Sequence, residues 1–320
     1  MATIHPLPSG TRDVLPDEMR ELRAVTAALL DVFTREGYGE VSTPALEHQE
    51  VLQRGGGAQP AYRVMDDHGQ VLALRPDMTV PIARLAATRY AGEEPPLRFC
   101  YLADVYRGVR PHRGQMREFL QAGVELVGAP SPEGTAEVLR VLCAALDASG
   151  LAGYRLGIGD AALYPTLLET FAVPPQARET LLRDLVDRDF VGLERELGLL
   201  DLPGDARETL ATVPSLRGGV EVLDGRPATE SLRRVHDLLE PAVARRVLFD
   251  LGLTRDLGCD PGYYTGAVFE VYDPALGEPL GGGGRYDELL GRFGRPLPAV
   301  GFALGVDKLH IALAGEERAR

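Results

Sequence analysis

The sequence predicts an α+β fold: an antiparallel sheet flanked by helices, with a mostly helical insertion over approximately residues 161–244. Three observations predict it. Two long strand patterns, residues 97–106 and 117–127, are joined by one short loop, which suits an antiparallel pair. Strand patterns return at residues 247–251 and 263–272. Between these ends, residues 137–246 carry mostly helical apolar spacing, interrupted only by a strand-like stretch at 154–158.

The elements follow in order. Met19, Leu22, Thr26, Leu29, Leu30 and Phe33 recur at three- and four-residue spacing and predict a helix over about residues 16–36. Pro16, Asp17 and Glu18 suit its start and Gly37 its end. Residues 40–46 read as a strand. Residues 62–65 and 71–74 flank Asp66-Asp67-His68-Gly69 and read as a hairpin. Asp77 is placed as the N-cap of a helix reaching about Arg89. Towards the C-terminus, Gly281-Gly282-Gly283-Gly284 precedes a short helix, and residues 299–304 lead into a last helix over 306–313. Neither an internal repeat nor a low-complexity tail is present.

Composition excludes several classes of function. A net charge of −13 opposes a nucleic-acid-coated surface, because phosphate binding needs a basic face. No GK[ST] P-loop is present. Of the 34 basic residues only Lys308 is lysine, which leaves Schiff-base chemistry one candidate. Cys100, Cys143 and Cys259 are widely separated and lack a CxxC pair, so a reducing cytoplasm suits the chain better than a disulfide framework. The N-terminus has no apolar signal region and no segment is apolar enough to span a membrane. His5, His48, His68, His112, His236 and His310 show no metal-ligand spacing, and His310 reads as a helix-packing or surface residue.

Three stretches carry possible chemistry, and each has two readings. Arg107 at a strand end, with Arg110 and Arg113 in the next turn, is either a solvated loop or a guanidinium fork for a carboxylate or phosphate. Gln121, Gly123 and Glu125 share one strand face, either the wet side of a half-exposed strand or a floor where something small lies against the sheet. Tyr263 and Tyr264 are packing residues or site residues, and the tetraglycine run is a flexible turn or a place of close ligand approach.

Taken in order, these segments resemble the catalytic core of a class II aminoacyl-tRNA synthetase of the histidyl type. Gly10-Thr11-Arg12-Asp13 with the first helix and Ser42-Thr43-Pro44 resembles motif 1, the dimer-forming element. Tyr106-Arg107 through Gly128 resembles motif 2. Arg255 and Tyr263-Tyr264-Thr265-Gly266 resemble the histidine-binding signatures. Gly282-Gly283-Gly284-Arg285-Tyr286-Asp287 and Ala299-Val300-Gly301-Phe302-Ala303-Leu304-Gly305 resemble the approach to motif 3 and its start. The departures are as informative. Val109 replaces a motif 2 glutamate, Gln115 an arginine, and Lys308 the motif 3 arginine that meets ATP. A lysine cannot reproduce the planar, bidentate contacts of a guanidinium. The sequence also ends soon after motif 3, where the synthetase continues into an anticodon-binding domain, so the expectation is that no such domain is present.

Leu74-Arg75-Pro76-Asp77-Met78-Thr79, with Asp77 in place of the synthetase glutamate, is similar to a paralogous family, the regulatory subunits of ATP phosphoribosyltransferase. That resemblance implies one class II synthetase-like domain over residues 1–320, no anticodon-binding domain, no catalytic activity and no cofactor. It implies a short-form catalytic subunit as partner in the first step of histidine biosynthesis, and feedback inhibition by L-histidine. A homodimer within a hetero-oligomer, no tRNA and no membrane complete the expectation. The alternative is a truncated synthetase that forms histidyl-adenylate. Carried across residue by residue, Asp77, Thr79 and Gln121 would hold the α-ammonium of histidine and Arg255 its carboxylate. Glu125 and Tyr264 would address the imidazole, with Arg107 and Tyr263 beside them.

Overall fold

The computed structural model describes residues 7–56, 61–108, 116–253 and 263–319. In chain order the strands are β1 (Gly39–Glu40), β2 (Leu46–His48), β3 (Arg63–Met65), β4 (Val71–Leu74), β5 (Leu97–Tyr106), β6 (Glu118–Val127), β7 (Arg155–Asp160), β8 (Arg217–Gly218), β9 (Val247–Asp250), β10 (Ala267–Tyr272), β11 (Gly281–Arg285) and β12 (Ala299–Gly305). The helices are α1 (Pro16–Arg35), α2 (Gln49–Arg54), α3 (Thr79–Thr88), α4 (Glu133–Ala148), α5 (Leu163–Thr170), α6 (Pro175–Val186), α7 (Phe190–Leu199), α8 (Gly204–Thr212), α9 (Glu230–Asp237), α10 (Pro241–Ala244) and α11 (Val306–Ala319).

A nine-stranded sheet runs β1-β5-β6-β12-β11-β10-β7-β9-β8, and a three-stranded sheet runs β2-β4-β3. The large sheet is antiparallel except at β1–β5 and β7–β9. This is the expected α+β architecture. Period two divides its residues between two faces. Ala122, Val124 and Leu126 of β6 join Phe269, Val271 and Phe302 in a core that continues into α1, α4, α11 and the helices of residues 163–244. Val127, Tyr101, Phe99 and Ala299 point the other way, into a second core with Met78, Ile82, Ala83 and Ala86 beneath α3.

Several elements differ from the sequence reading. The α1 stripe is Leu22, Val25, Thr26, Leu29, Val32 and Phe33, whereas Met19 is exposed and Leu30 half-buried. Packing on α4, α11 and β5 rotates the buried face towards the β-branched positions. Residues 40–46 are not one strand. Pro44 lacks the N–H a continuing ladder needs, and the chain passes there from the large sheet to the small one. Helix α3 starts at Thr79, two residues after the expected cap, although Asp77 Oδ1 still accepts the Val80 N–H at 3.1 Å. The hairpin forms as expected, with Asp66 Oδ1 accepting the N–H of His68 and of Gln70 and Gly69 at φ +79°. The tetraglycine run is neither a turn nor a loop: it is strand β11, in the middle of the large sheet. Strand β10 begins only at Ala267, so Tyr263 and Tyr264 precede it.

Among the described residues no helix is long and apolar enough to cross a membrane. No cluster of three or more His, Cys, Asp or Glu residues is placed to hold a metal ion among them either. Cys100 and Cys143 are buried free thiols pushed up to about 11 by burial, and Cys259 lies outside the described residues. His310 bridges two helices, its Nε2 lying 2.6 Å from Glu21 Oε2 of α1.

Candidate functional site

The candidate site is built on the second face of the sheet, where glycine leaves the floor open. Gln121, Gly123 and Glu125 project from β6 as the two-residue period requires. Across the β5–β6 ladder, Gly123 lies opposite Tyr101. A Cβ on Gly123 would sit 2.5 Å from the Tyr101 hydroxyl, and one on Gly301 would sit 1.8 Å from Glu125 Oε2. On the same side, a Cβ on Gly284 would meet Tyr264 at 2.7 Å. Side chains at these three positions would occupy the volume that the tyrosines and Glu125 now fill.

Helix α3 brings its N-terminal end to this floor. Thr79 donates its hydroxyl to Glu125 Oε1 at 2.7 Å, and Tyr286, just after β11, donates to Glu125 Oε2. Tyr263 stacks on Tyr286 with centroids 5.9 Å apart, and Tyr264 meets Tyr263 edge-on at 5.0 Å. Asp77 lies half-buried at the entrance to α3. Arg107, just after β5, donates Nε to the Pro76 carbonyl at 3.4 Å and lies 4.9 Å from the Phe119 ring centroid.

The electrostatics follow from burial. Glu125 is 2% exposed, and loss of water pushes its carboxyl up to about 8. The two hydroxyl donors pull it down and the neighbouring Asp77 pushes it further up, but desolvation wins. Asp77 is raised as well, by burial first, against the Val80 N–H and the Arg107 charge. The hydroxyls of Tyr101 and Tyr286 are held protonated by burial and by the nearby Glu125. Gln121 is 7% exposed, and its Oε1 accepts no hydrogen bond among the described residues. An orphaned buried acceptor costs about 1–3 kcal/mol, which a ligand N–H would recover.

Asp77, Thr79, Glu125, Tyr263 and Tyr264 are therefore neighbours, with Gln121 further along the same face of β6 and Arg107 at their edge beside Asp77. Arg255 lies outside the described residues, as do Arg110, Arg113, Val109 and Gln115. Two further residues, to which sequence reasoning assigns no role, belong to the group. Tyr286 sits inside a quoted motif, and Tyr101 is signalled only by the β5–β6 register that sets it against Gly123.

A family model described as histidyl-tRNA synthetase matches residues 10–309. A protein of Symbiobacterium thermophilum named ATP phosphoribosyltransferase regulatory subunit is 44% identical over 321 residues, which covers 96% of this chain and 79% of that one. The chain belongs to the ATP phosphoribosyltransferase regulatory subunit family. The family member of Moorella thermoacetica is 43% identical over 320 residues, covering 96% of this chain and 81% of its own. A crystal structure from Bacillus halodurans, described as an ATP phosphoribosyltransferase regulatory subunit/histidyl-tRNA synthetase, superimposes with a TM-score of 0.89 at 34% identity over 98% of this chain and 84% of that one. The regulatory-subunit family thus shares the class II histidyl-tRNA synthetase-like fold expected from the motifs.

Proposed function

We propose that this chain is a non-catalytic regulatory subunit that binds L-histidine at the Gln121–Glu125 floor and conveys occupancy to a short-form catalytic subunit of ATP phosphoribosyltransferase. The observation that carries the site is the buried Gln121 Oε1, which accepts no hydrogen bond among the described residues and lies on the β6 face that also carries Glu125. An α-ammonium supplies the missing N–H there and a counter-charge for Asp77. Arg255 would meet the ligand carboxylate, while Glu125 and Tyr264 address the imidazole. The ATP side supports a subunit without chemistry. Lys308 pairs with Glu278 at 3.0 Å and donates to the Pro279 carbonyl at 3.0 Å, so its charge is already engaged. The chain would work as a homodimer within a hetero-oligomer in the cytoplasm.

Conveying occupancy requires that histidine bind one arrangement of the complex better than another, by a coupling of about 1–3 kcal/mol. Calorimetry tests the site. The parent binds L-histidine, and Gln121→Leu binds it at least about tenfold more weakly. Equal binding by both proteins, or none by the parent, overturns the assignment. Mixing with a short catalytic subunit tests the role: phosphoribosyl transfer rises on mixing and falls again with histidine. A robust histidine-dependent pyrophosphate exchange by the chain alone would overturn the non-catalytic reading.

A further inference from the structure

Glu125 receives two hydroxyls and, among the described residues, no cation. Thr79 of α3 donates to one oxygen and Tyr286 to the other. The remaining ionisable groups facing it are Asp77 ahead of α3, Tyr101 on β5, and Tyr263 and Tyr264 ahead of β10. Among the described residues Arg107 is the base in this circle, and its charge acts on Asp77 and Tyr101. Gly301 beneath the carboxyl and the Tyr101 hydroxyl over Gly123 fix where the group can sit. A buried carboxyl with hydroxyl donors and an acidic neighbour is a poor place for a second negative charge.

We propose that the empty site stores a proton on the Glu125–Tyr286 pair, and that L-histidine binds by sharing that proton through its imidazole. This rests on the histidine reading given above. The balance is simple. The empty site holds a neutral carboxylic acid, the ligand brings a neutral imidazole, and the complex holds one proton between oxygen and nitrogen. Nothing is exchanged with solvent in the window between the imidazole value, about 6.5, and the value of the buried carboxyl. Above that window the empty site has lost its proton, and each binding event takes one up. Below it, histidine arrives as imidazolium at a site already protonated, and one proton is released. Affinity is therefore level inside the window and falls about tenfold per pH unit on either side. Tyr286 is a positioning residue: its donated hydroxyl favours the ionised carboxyl and so sets where the upper limit falls.

An ionised Glu125 behaves differently. Pairing with imidazolium, it takes up a proton throughout that window, and pairing with neutral imidazole it takes up none at any higher pH. Calorimetry of the full chain with L-histidine, in two buffers of different ionisation enthalpy, counts the protons directly. The expected uptake is near zero at about pH 7; at about pH 8.7 Glu125 contributes about 0.8 per histidine and the ligand α-ammonium a smaller share on top of it. Tyr286→Phe lowers the uptake at the higher pH, because the carboxyl then keeps its proton longer. Glu125→Gln retains only the smaller share that belongs to the ligand α-ammonium, and it decides the matter by itself should Tyr286→Phe not fold. Uptake close to one at both pH values, or at the higher pH no more than the α-ammonium share seen with Glu125→Gln, overturns the shared proton while leaving the histidine site standing. No binding heat at any pH overturns the histidine reading and this inference with it.

Discussion

The Glu125 carboxyl ionises near 4.5 when exposed in the unfolded chain and only at about 8 in the fold. Between these values the native state binds the additional proton, so stability falls as pH rises, with a slope of up to about 1.4 kcal/mol per unit. The loss is complete above the folded value and absent below the unfolded one. Glu125→Gln has nearly the same shape and no charge to desolvate. Urea unfolding in histidine-free buffer should find the variant close to the parent near pH 4.5 and more stable than it at pH 8. A stability gap that stays constant between those pH values would show that Glu125 ionises like a surface carboxylate. The proposed binding group is thus a place where the fold gives up stability. Its position on a shared face with Gln121 and Gly123 was legible from alternation along β6. Its protonation was not, because the burial that raises the carboxyl, and the Thr79 and Tyr286 hydroxyls that partly offset it, come from α3 and from the segment after β11, which no pattern along β6 reveals.

Strand β11 shows what an element needs from its neighbours. A Cβ on Gly283 would lie 1.8 Å from the Gly301 carbonyl oxygen and 2.7 Å from the Phe302 Cα, both backbone atoms of β12. A Cβ on Gly281 would lie 2.2 Å from the Ala303 carbonyl. The two backbones therefore approach more closely than strands bearing side chains allow. Gly283→Ala must push β12 aside, and with it Gly301 and the carboxyl of Glu125. We expect a loss of roughly 1–3 kcal/mol in denaturant unfolding, together with weakened histidine binding. Gly277→Ala, where nothing lies within 4 Å, is the matched control and should stay within about 0.5 kcal/mol of the parent. Similar stability of both variants would mean that β11 and β12 relax apart without cost. Sequence alone could not place this strand, since glycine supplies neither β-propensity nor alternation. By contrast, β5 and β6 carry ten residues each of strong pattern and were found with their ends almost unchanged. Helix α1 was equally legible, but which stripe of it is buried depended on α4 and α11.

At the scale of the molecule the large sheet divides two roles. One face is packed by α1, α4, α11 and the helices of residues 163–244, and the other carries the candidate site with α3 across it. Strand β6 serves both, since Val124 and Leu126 anchor the first core while Gln121 and Glu125 face the candidate site. The two sides are therefore joined through one backbone. If histidine acts through this site, weakening the site must weaken feedback by the same factor as it weakens histidine binding to the assembled complex, because inhibition then follows occupancy of the site. Gln121→Leu supplies the test, as it removes the orphaned acceptor without touching the packed face. In the complex with a short catalytic subunit, the histidine concentration for half-inhibition of phosphoribosyl transfer should rise at least about tenfold. The affinity between the two subunits, measured without histidine, should stay unchanged, since the substitution lies within the candidate site. Unaltered feedback in this variant would place the regulatory histidine somewhere other than this face.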